Sequence, residues 1–358
     1  MNNSKKIPPQ NHLPWLNAIR FMAAFIVLIC HTRNDFFVRY NELPDIQQNV
    51  FSFAFFFIGK LGYEAVIVFF VLSGFLVGGK GLERMHKHVF DVKSYVVDRF
   101  VRIGIPLVSA IVFGIFVMSL MNVEFSYLVA IGNLLSLQGI ACEPFISPFW
   151  SLSYEVWFYI ILGAIGMVLN GDKKGMVLFL ICWLVFMKLA PYFLFMWFMG
   201  AFAYYLRPQK RSNAVLCISF IMLLFFICLS LSTVDSKAIN VSFKLDRNVI
   251  DVFMAFALSF FLQQVVLCVP KRVIFVRIER FFTPLANFSY TLYLTHRVTL
   301  LLIFNTVLKK ESHNLDMKGI VMYLLLLAVC MFTSWGIYYF TERKTNEVKC
   351  WIKGRILK

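Results

Sequence analysis

Two ionisable side chains interrupt the first apolar run of the chain: Arg20 and His31, separated by FMAAFIVLIC. Charge inside a hydrocarbon-spanning helix is costly, so such residues mark a functional site by default. Eleven steps of 100° return to within about 20° of the starting direction, so both side chains leave one helix face. They stand about 16 Å apart along the axis, roughly half the hydrocarbon thickness. One helix thus carries a cation toward one leaflet and a titratable base toward the other. An imidazole can take a proton from a hydroxyl and later return one to a leaving group. That suits a reaction whose two substrates approach from opposite sides. The structural alternative for His31 is a hydrogen-bonded histidine at a helix end. Asp35, one turn on, either orients the ring or is a solvated loop acid.

Four further constellations carry chemistry. Ser73-Gly74 lies within the apolar stretch FFVLSGFLVGG, Phe69 to Gly79, where small residues let backbones approach and the hydroxyl can bond to a neighbour or ligand. Arg99 and Arg102 share a helical face just before the next span, and guanidinium forks suit phosphate oxygens. The plain alternative is topogenic charge with an Asp98–Arg102 surface pair, and it accounts for Lys80, Arg84 and Lys87. In WSLSYEVWFY, Ser151, Glu155 and Tyr159 recur every four residues as one polar stripe. A buried Glu155 has three open roles: holding the imidazole, binding an acceptor hydroxyl, or acting as acid/base. A helix N-terminus with Glu155 complementing its dipole would leave the Ser/Tyr stripe unexplained. Last comes SYTLYLTH, which places hydroxyls and His296 inside a late span. His296 reads as a supporting or acceptor-site residue, Tyr290 and Tyr293 as structural.

The elements that must position these groups are membrane helices. Of 358 residues, 60% are hydrophobic and only 15% charged, against about 25% charged in soluble domains. The formal charge of +16 sits in short loops between apolar runs, which is how membrane orientation is encoded and not a phosphate-tracking stripe, so nucleic acid is excluded as a partner. Apolar spans read as 14–32, 62–79, 103–121, 150–169, 175–189, 191–206, 213–232, 249–269, 283–308 and 318–340. The run 125–139 holds Asn133, Ser136 and Gln138 and is short for a crossing. If it does not cross, Lys plus Arg total 23 inside and 10 outside; if it does, 15 and 18. The positive-inside bias therefore predicts ten crossings with both termini cytoplasmic, and 125–139 re-entrant or interfacial. The expected architecture is an all-α bundle: a cytoplasmic tail 1–13, a transmembrane domain 14–340 and a basic cytoplasmic tail 341–358. No cleavable signal is evident before the first span. Eight cysteines without a CxxC imply neither a disulfide framework nor a metal site.

Taken in order, these motifs resemble the acyltransferase-3 family of bacterial integral membrane acyltransferases. The likeness rests on Arg20–ten residues–His31, FFVLSGF, the Arg99/Arg102 pair, Trp150-Ser-Leu-x-x-Glu155 and Ser289-Tyr-x-x-Tyr-Leu-x-His296, spread over residues 15–296. The resemblance implies transfer of an acyl group, usually acetyl from acetyl-CoA, to a carbohydrate hydroxyl. Typical acceptors are O-antigen, capsule, exopolysaccharide or peptidoglycan, at the bacterial inner membrane. It implies that His31 is catalytic, with Arg20, Ser73, Glu155 and the Arg99/Arg102 pair supporting it. Two departures stand out. Many members carry an acid just before the Phe-Phe pair, where this chain has Ile67, and Glu64 one turn earlier is the candidate substitute. The sequence also lacks the esterase-like domain of some members.

The resulting expectation has cytoplasmic acyl-CoA held at its phosphates by Arg99, Arg102 and Arg20. His31 and Glu155 serve catalysis, and Ser73, Ser151, Tyr159 and His296 support them. His31 acts as a general base or carries the acyl group itself. A proton-coupled transporter or flippase for a glycan or lipid-linked intermediate would also use buried Arg, Glu and His. Against that stands the lack of internal repeat symmetry.

Overall fold

In a computed structural model, residues 14–234, 246–268, 272–309 and 311–356 are described, and among them there is no β-strand. The tail 1–13 lies outside the described residues. The helices run in chain order as α1 (Pro14–Phe36), α2 (Val50–Ile58) and α3 (Gly62–Ser73). A π turn (Gly74–Gly78) carries α3 without a break into α4 (Gly79–His86). Then follow α5 (Val92–Leu120), α6 (Tyr127–Leu134), α7 (Trp150–Leu169), α8 (Lys174–Phe186) and α9 (Pro191–Tyr205). The set closes with α10 (Asn213–Val234), α11 (Arg247–Val266), α12 (Arg272–Thr306), α13 (Met317–Phe340) and α14 (Thr345–Ile356).

Seven helical stretches among the described residues are long and apolar enough to cross a membrane, so this is a multi-pass membrane protein. The other three expected spans fall on α8, α9 and α12, of 13, 15 and 35 residues. α6, inside the doubtful run 125–139, has eight residues. It rises only about 12 Å, too little for a hydrocarbon core of about 30 Å. The polar residues that weakened this run as a span fold a tight structure at its end. Asn133 is fully buried; it donates to Val129 O and Glu143 O (2.8 and 2.9 Å) and accepts from Phe145 N (3.0 Å). Gln138 donates to Phe149 O (2.9 Å). The segment thereby fixes Pro148 and Trp150 at the start of α7.

The site is built at the crossing of α1, α3, α7 and α12. α1 packs most extensively on α12, and also on α3. The π turn and α3 press against α9, because Gly74 and Gly200 leave no Cβ between them: one on Gly74 would overlap the Trp197 carbonyl, one on Gly200 that of Val71. Backbones this close are the use small residues have in membrane bundles. Behind that contact Phe70, Phe158, Phe193 and Trp197 form a buried aromatic block, with Phe70–Phe193 and Phe70–Phe158 ring centroids 5.1 and 5.3 Å apart.

The Asp98–Arg102 pair offered as the plain alternative is not made. Residues 345–356, read from sequence as tail, form α14 against α5, where Lys353 and Lys349 reach Asp98 at 2.8 and 3.4 Å. Arg102 donates instead to Glu342 Oε1 (2.7 Å), while Thr291 donates to Oε2 (2.5 Å). Glu342 is 3% exposed, and a carboxylate so buried needs a cation more than the half-buried Asp98 does.

Candidate active site

The polar residues flagged in the sequence converge, but on three adjoining cavities and not one. A central cavity of about 130 Å³ is lined by Arg20 of α1, Ser73 of α3, Arg99 and Arg102 of α5, Ser151, Glu155 and Tyr159 of α7, and Tyr290 and Tyr293 of α12. Its remaining walls are mainly apolar, from Val66, Phe69, Phe70, Leu72 and Ile103. On the Arg20 side it meets a vestibule of about 470 Å³, with Arg20, Arg99 and Arg102 lining both. Lys80 and Arg84 line that vestibule too. On the opposite side lies a third chamber of about 580 Å³ that holds His31, and Val66 and Tyr293 line both it and the central cavity. The same-face spacing of Arg20 and His31 thus places them in adjoining cavities, at different depths.

A hydroxyl chain runs through the central cavity. Tyr159 donates to Glu155 Oε1 at 2.5 Å, which leaves its oxygen to accept from Ser73 at 2.9 Å. Ser73 in turn accepts from Trp197 Nε1 (3.2 Å), so the motif serine is oriented by a residue of α9. The Arg99 guanidinium lies over the Tyr159 ring, 5.6 Å from its centroid. Ser151 Oγ sits 2.7 Å from Tyr293 Oη, and Tyr293 donates to Pro148 O at 3.1 Å. Two buried groups here have no hydrogen-bond partner among the described residues: Arg99 Nε and the Tyr290 hydroxyl. Orphaned donors in a low-dielectric cavity are expensive, and a bound substrate is the economical way to satisfy them.

His31 does not meet Glu155. Its partner is His296: Nδ1 of His31 and Nε2 of His296 lie 2.8 Å apart, with the rings stacked at 15° and centroids 5.1 Å apart. The holder of the imidazole, left open between Glu155 and other groups in the sequence, is therefore a second imidazole. The network sets the tautomers. Nδ1 of His296 lies 2.9 Å from the Leu292 carbonyl, which can only accept, so that nitrogen carries hydrogen. Neutral His296 then offers a lone pair at Nε2, and His31 supplies the proton from Nδ1. Nε2 of His31 keeps its lone pair for a substrate. The same bond survives when His31 takes a proton, because Nδ1 donates in both states. His296 is fully buried and His31 half-buried, so only the latter meets the chamber. Asp35 orients nothing here: Arg297 of α12 pairs with it, away from the His31 chamber.

Several contributors were outside the reach of sequence. Trp197 carries no motif. Glu342 left one faint signal, a carboxylate at the end of the last apolar run. Tyr290 and Tyr293, read as structural, line the central cavity. Glu64, the proposed substitute acid, is buried against Arg247 (3.2 Å) and Ser230 (2.8 Å) and does not line either chamber.

Removing the second imidazole gives a specific expectation. In His296→Ala, His31 loses its acceptor and the fixed tautomer, so turnover should fall by about 10–100-fold, the scale seen where an orienting partner of an imidazole is lost. His296→Gln, which restores an acceptor, should recover part of kcat with little change in substrate KM. A purely structural His296 would show losses that track protein level and no rescue.

A family model described as an acyltransferase domain matches residues 13–339. No curated protein and no solved structure gives a match.

Proposed function

The chain belongs to the acyltransferase-3 family, and on that premise we propose that it moves an acyl group, acetyl in the first instance, from cytoplasmic acyl-CoA to a hydroxyl of a cell-envelope or exported carbohydrate, across a bacterial inner membrane. The observation that carries this reading is a row of three cavities that share lining residues, with a cluster of cations at one end and an oriented base at the other. Family membership sets aside the transporter alternative.

In this reading the vestibule lined by Arg20, Lys80, Arg84, Arg99 and Arg102 faces the cytoplasm, the side to which the loop charges assign it, and receives the nucleotide phosphates. The narrow central cavity, mostly apolar with a file of hydroxyls, accommodates the thin pantetheine arm and brings the thioester toward Val66 and Tyr293. The carbohydrate occupies the outer chamber. His31 Nε2 removes the acceptor proton as the hydroxyl oxygen bonds to the thioester carbonyl carbon. The carbon–sulfur bond then breaks and the imidazolium returns the proton to the departing thiolate. His296 accepts from Nδ1 throughout and steadies the charged ring. Glu155 holds the Tyr159–Ser73 chain in place.

The test is purified protein in nanodiscs with radiolabelled acetyl-CoA and glycans extracted from the envelope. Label should pass to glycan; unmodified glycan in the presence of folded protein would refute the reading. Within that assay Arg99→Gln is the cleaner probe of donor binding, because Arg102 also holds Glu342. Loss of one charge-assisted contact should raise the KM for acetyl-CoA about tenfold with kcat little changed. An unaltered KM would return Arg99 to a topogenic role.

A further inference from the structure

The chamber around His31 is more basic than its place in the membrane explains. Arg33, Arg39, Lys60 and Arg247 line it, and among the described residues no carboxylate does. They come from the end of α1, the loop after it, the turn before α3 and the start of α11, so folding gathers them. Orientation signals predict few cations on this face. Of the ten Lys and Arg assigned to it, four surround one opening.

The described partners of Arg33 compensate it only in part. Arg33 donates to the neutral Gly59 carbonyl (3.1 Å) and covers the Phe56 ring at 5.3 Å. Arg247 reaches Glu64 (3.2 Å), which offsets one charge, and lies 4.2 Å from the Tyr63 ring centroid. The Nε atoms of both arginines are buried without a hydrogen-bond partner among the described residues. Asp35, the nearest acid to His31 in sequence, is taken by Arg297 and opens on a different cavity. Burial and the Arg33 guanidinium pull the Lys60 ammonium below its ordinary pKa, as expected where like charges are crowded. Beside them Trp150 and Tyr63 stack at 12° and offer the chamber aromatic surface. A volume of about 580 Å³ is within the range of small-ligand sites.

We infer that the acceptor is an anionic glycan, and that Arg33, Arg39, Lys60 and Arg247 hold a phosphate or carboxylate of it beside the hydroxyl presented to His31. This rests on the reading of that chamber as the acceptor side of an acyltransferase. Arginine forks and an ammonium suit oxyanions, whereas a neutral sugar gains nothing from this crowding. The charge selects the acceptor and sets its register; the base does the chemistry.

The full chain in nanodiscs of zwitterionic lipid, without acyl donor, is titrated with a glucuronate-containing hexasaccharide, its carboxyl-reduced form and inorganic phosphate. The charged oligosaccharide should bind at least about tenfold tighter than the reduced one, with phosphate competing. Arg39→Glu/Lys60→Glu should abolish the difference, while Lys188→Glu, on the same face but outside the chamber, should not. Acetyl-CoA binding, unchanged in each variant, reports that they are folded; should the double variant misfold, Arg39→Gln replaces it. Farnesyl phosphate competing more strongly than inorganic phosphate assigns the anion to a lipid carrier; equal competition assigns it to the glycan itself. Equal affinity for charged and reduced oligosaccharides together with no phosphate binding overturns the inference, as does a preference that survives charge reversal. Because no transfer is measured, these outcomes are independent of whether acetyl moves.

Discussion

Replacing His31 by alanine should lower acyl transfer by about 10²–10⁴-fold, the contribution of a positioned general base. The variant removes a ring that lines the chamber and whose Nδ1 is committed to His296, which leaves Nε2 for a substrate. His296 cannot take over, since it is fully buried and its Nδ1 is committed to the Leu292 carbonyl. The cost to folding is smaller than the effect on transfer, about 1–3 kcal/mol for leaving the buried His296 Nε2 without its donor, so the protein should still accumulate in the membrane. His31→Gln separates chemistry from structure: its amide can still donate to His296 but accepts no proton at this pH, and it should be as inactive as alanine. Labelled transfer per unit of membrane protein is the readout. Near-normal transfer by a normally accumulating His31→Ala protein would remove the imidazole from the mechanism.

The second large effect is on assembly. Gly74→Leu, or Gly200→Leu, forces a side chain into a backbone carbonyl of the facing helix, where no flexible atom can yield. Overpacking a well-fitted core costs about 1–3 kcal/mol, and a backbone obstacle belongs at or above the top of that range. The consequence reaches the site, because Ser73 precedes Gly74 and is held by Trp197 across the same contact. Both variants should show lower thermal unfolding temperatures in detergent and little correctly folded protein. Gly104→Leu is the control, with open space where its Cβ would stand. If Gly74→Leu melts with the control, the close approach of α3 and α9 is not a determinant of the fold.

Much of the helical framework was legible because apolar run length is set by the bilayer. Every expected span corresponds to a helix, and the polar interruptions that weakened 125–139 as a span are the residues that fold its loop. The site was legible as a list of residues. Arg20, Ser73, Arg99, Arg102, Ser151, Glu155 and Tyr159 do line one cavity. Their pairings were not legible. His31 and His296 are 265 positions apart, and their contact depends on the packing of α1 on α12, which no local period encodes. The Arg102–Glu342 pair spans 240 positions in the same way, and displaced the local Asp98 partner that helical spacing suggested. The π turn at Gly74 answers to Gly200, so its cause also lies in another helix. Local sequence reports which groups are too costly to bury idly; the pairing that makes them affordable is tertiary.

The most direct test of the central claim is sidedness of transfer in sealed, inside-out membrane vesicles, with envelope glycan trapped in the lumen and labelled acetyl-CoA added outside. Label should appear on luminal glycan, and not on identical glycan placed outside with the donor. Acetylation confined to the glycan that shares a compartment with acetyl-CoA would contradict a path running from the arginine cluster to His31 across the membrane.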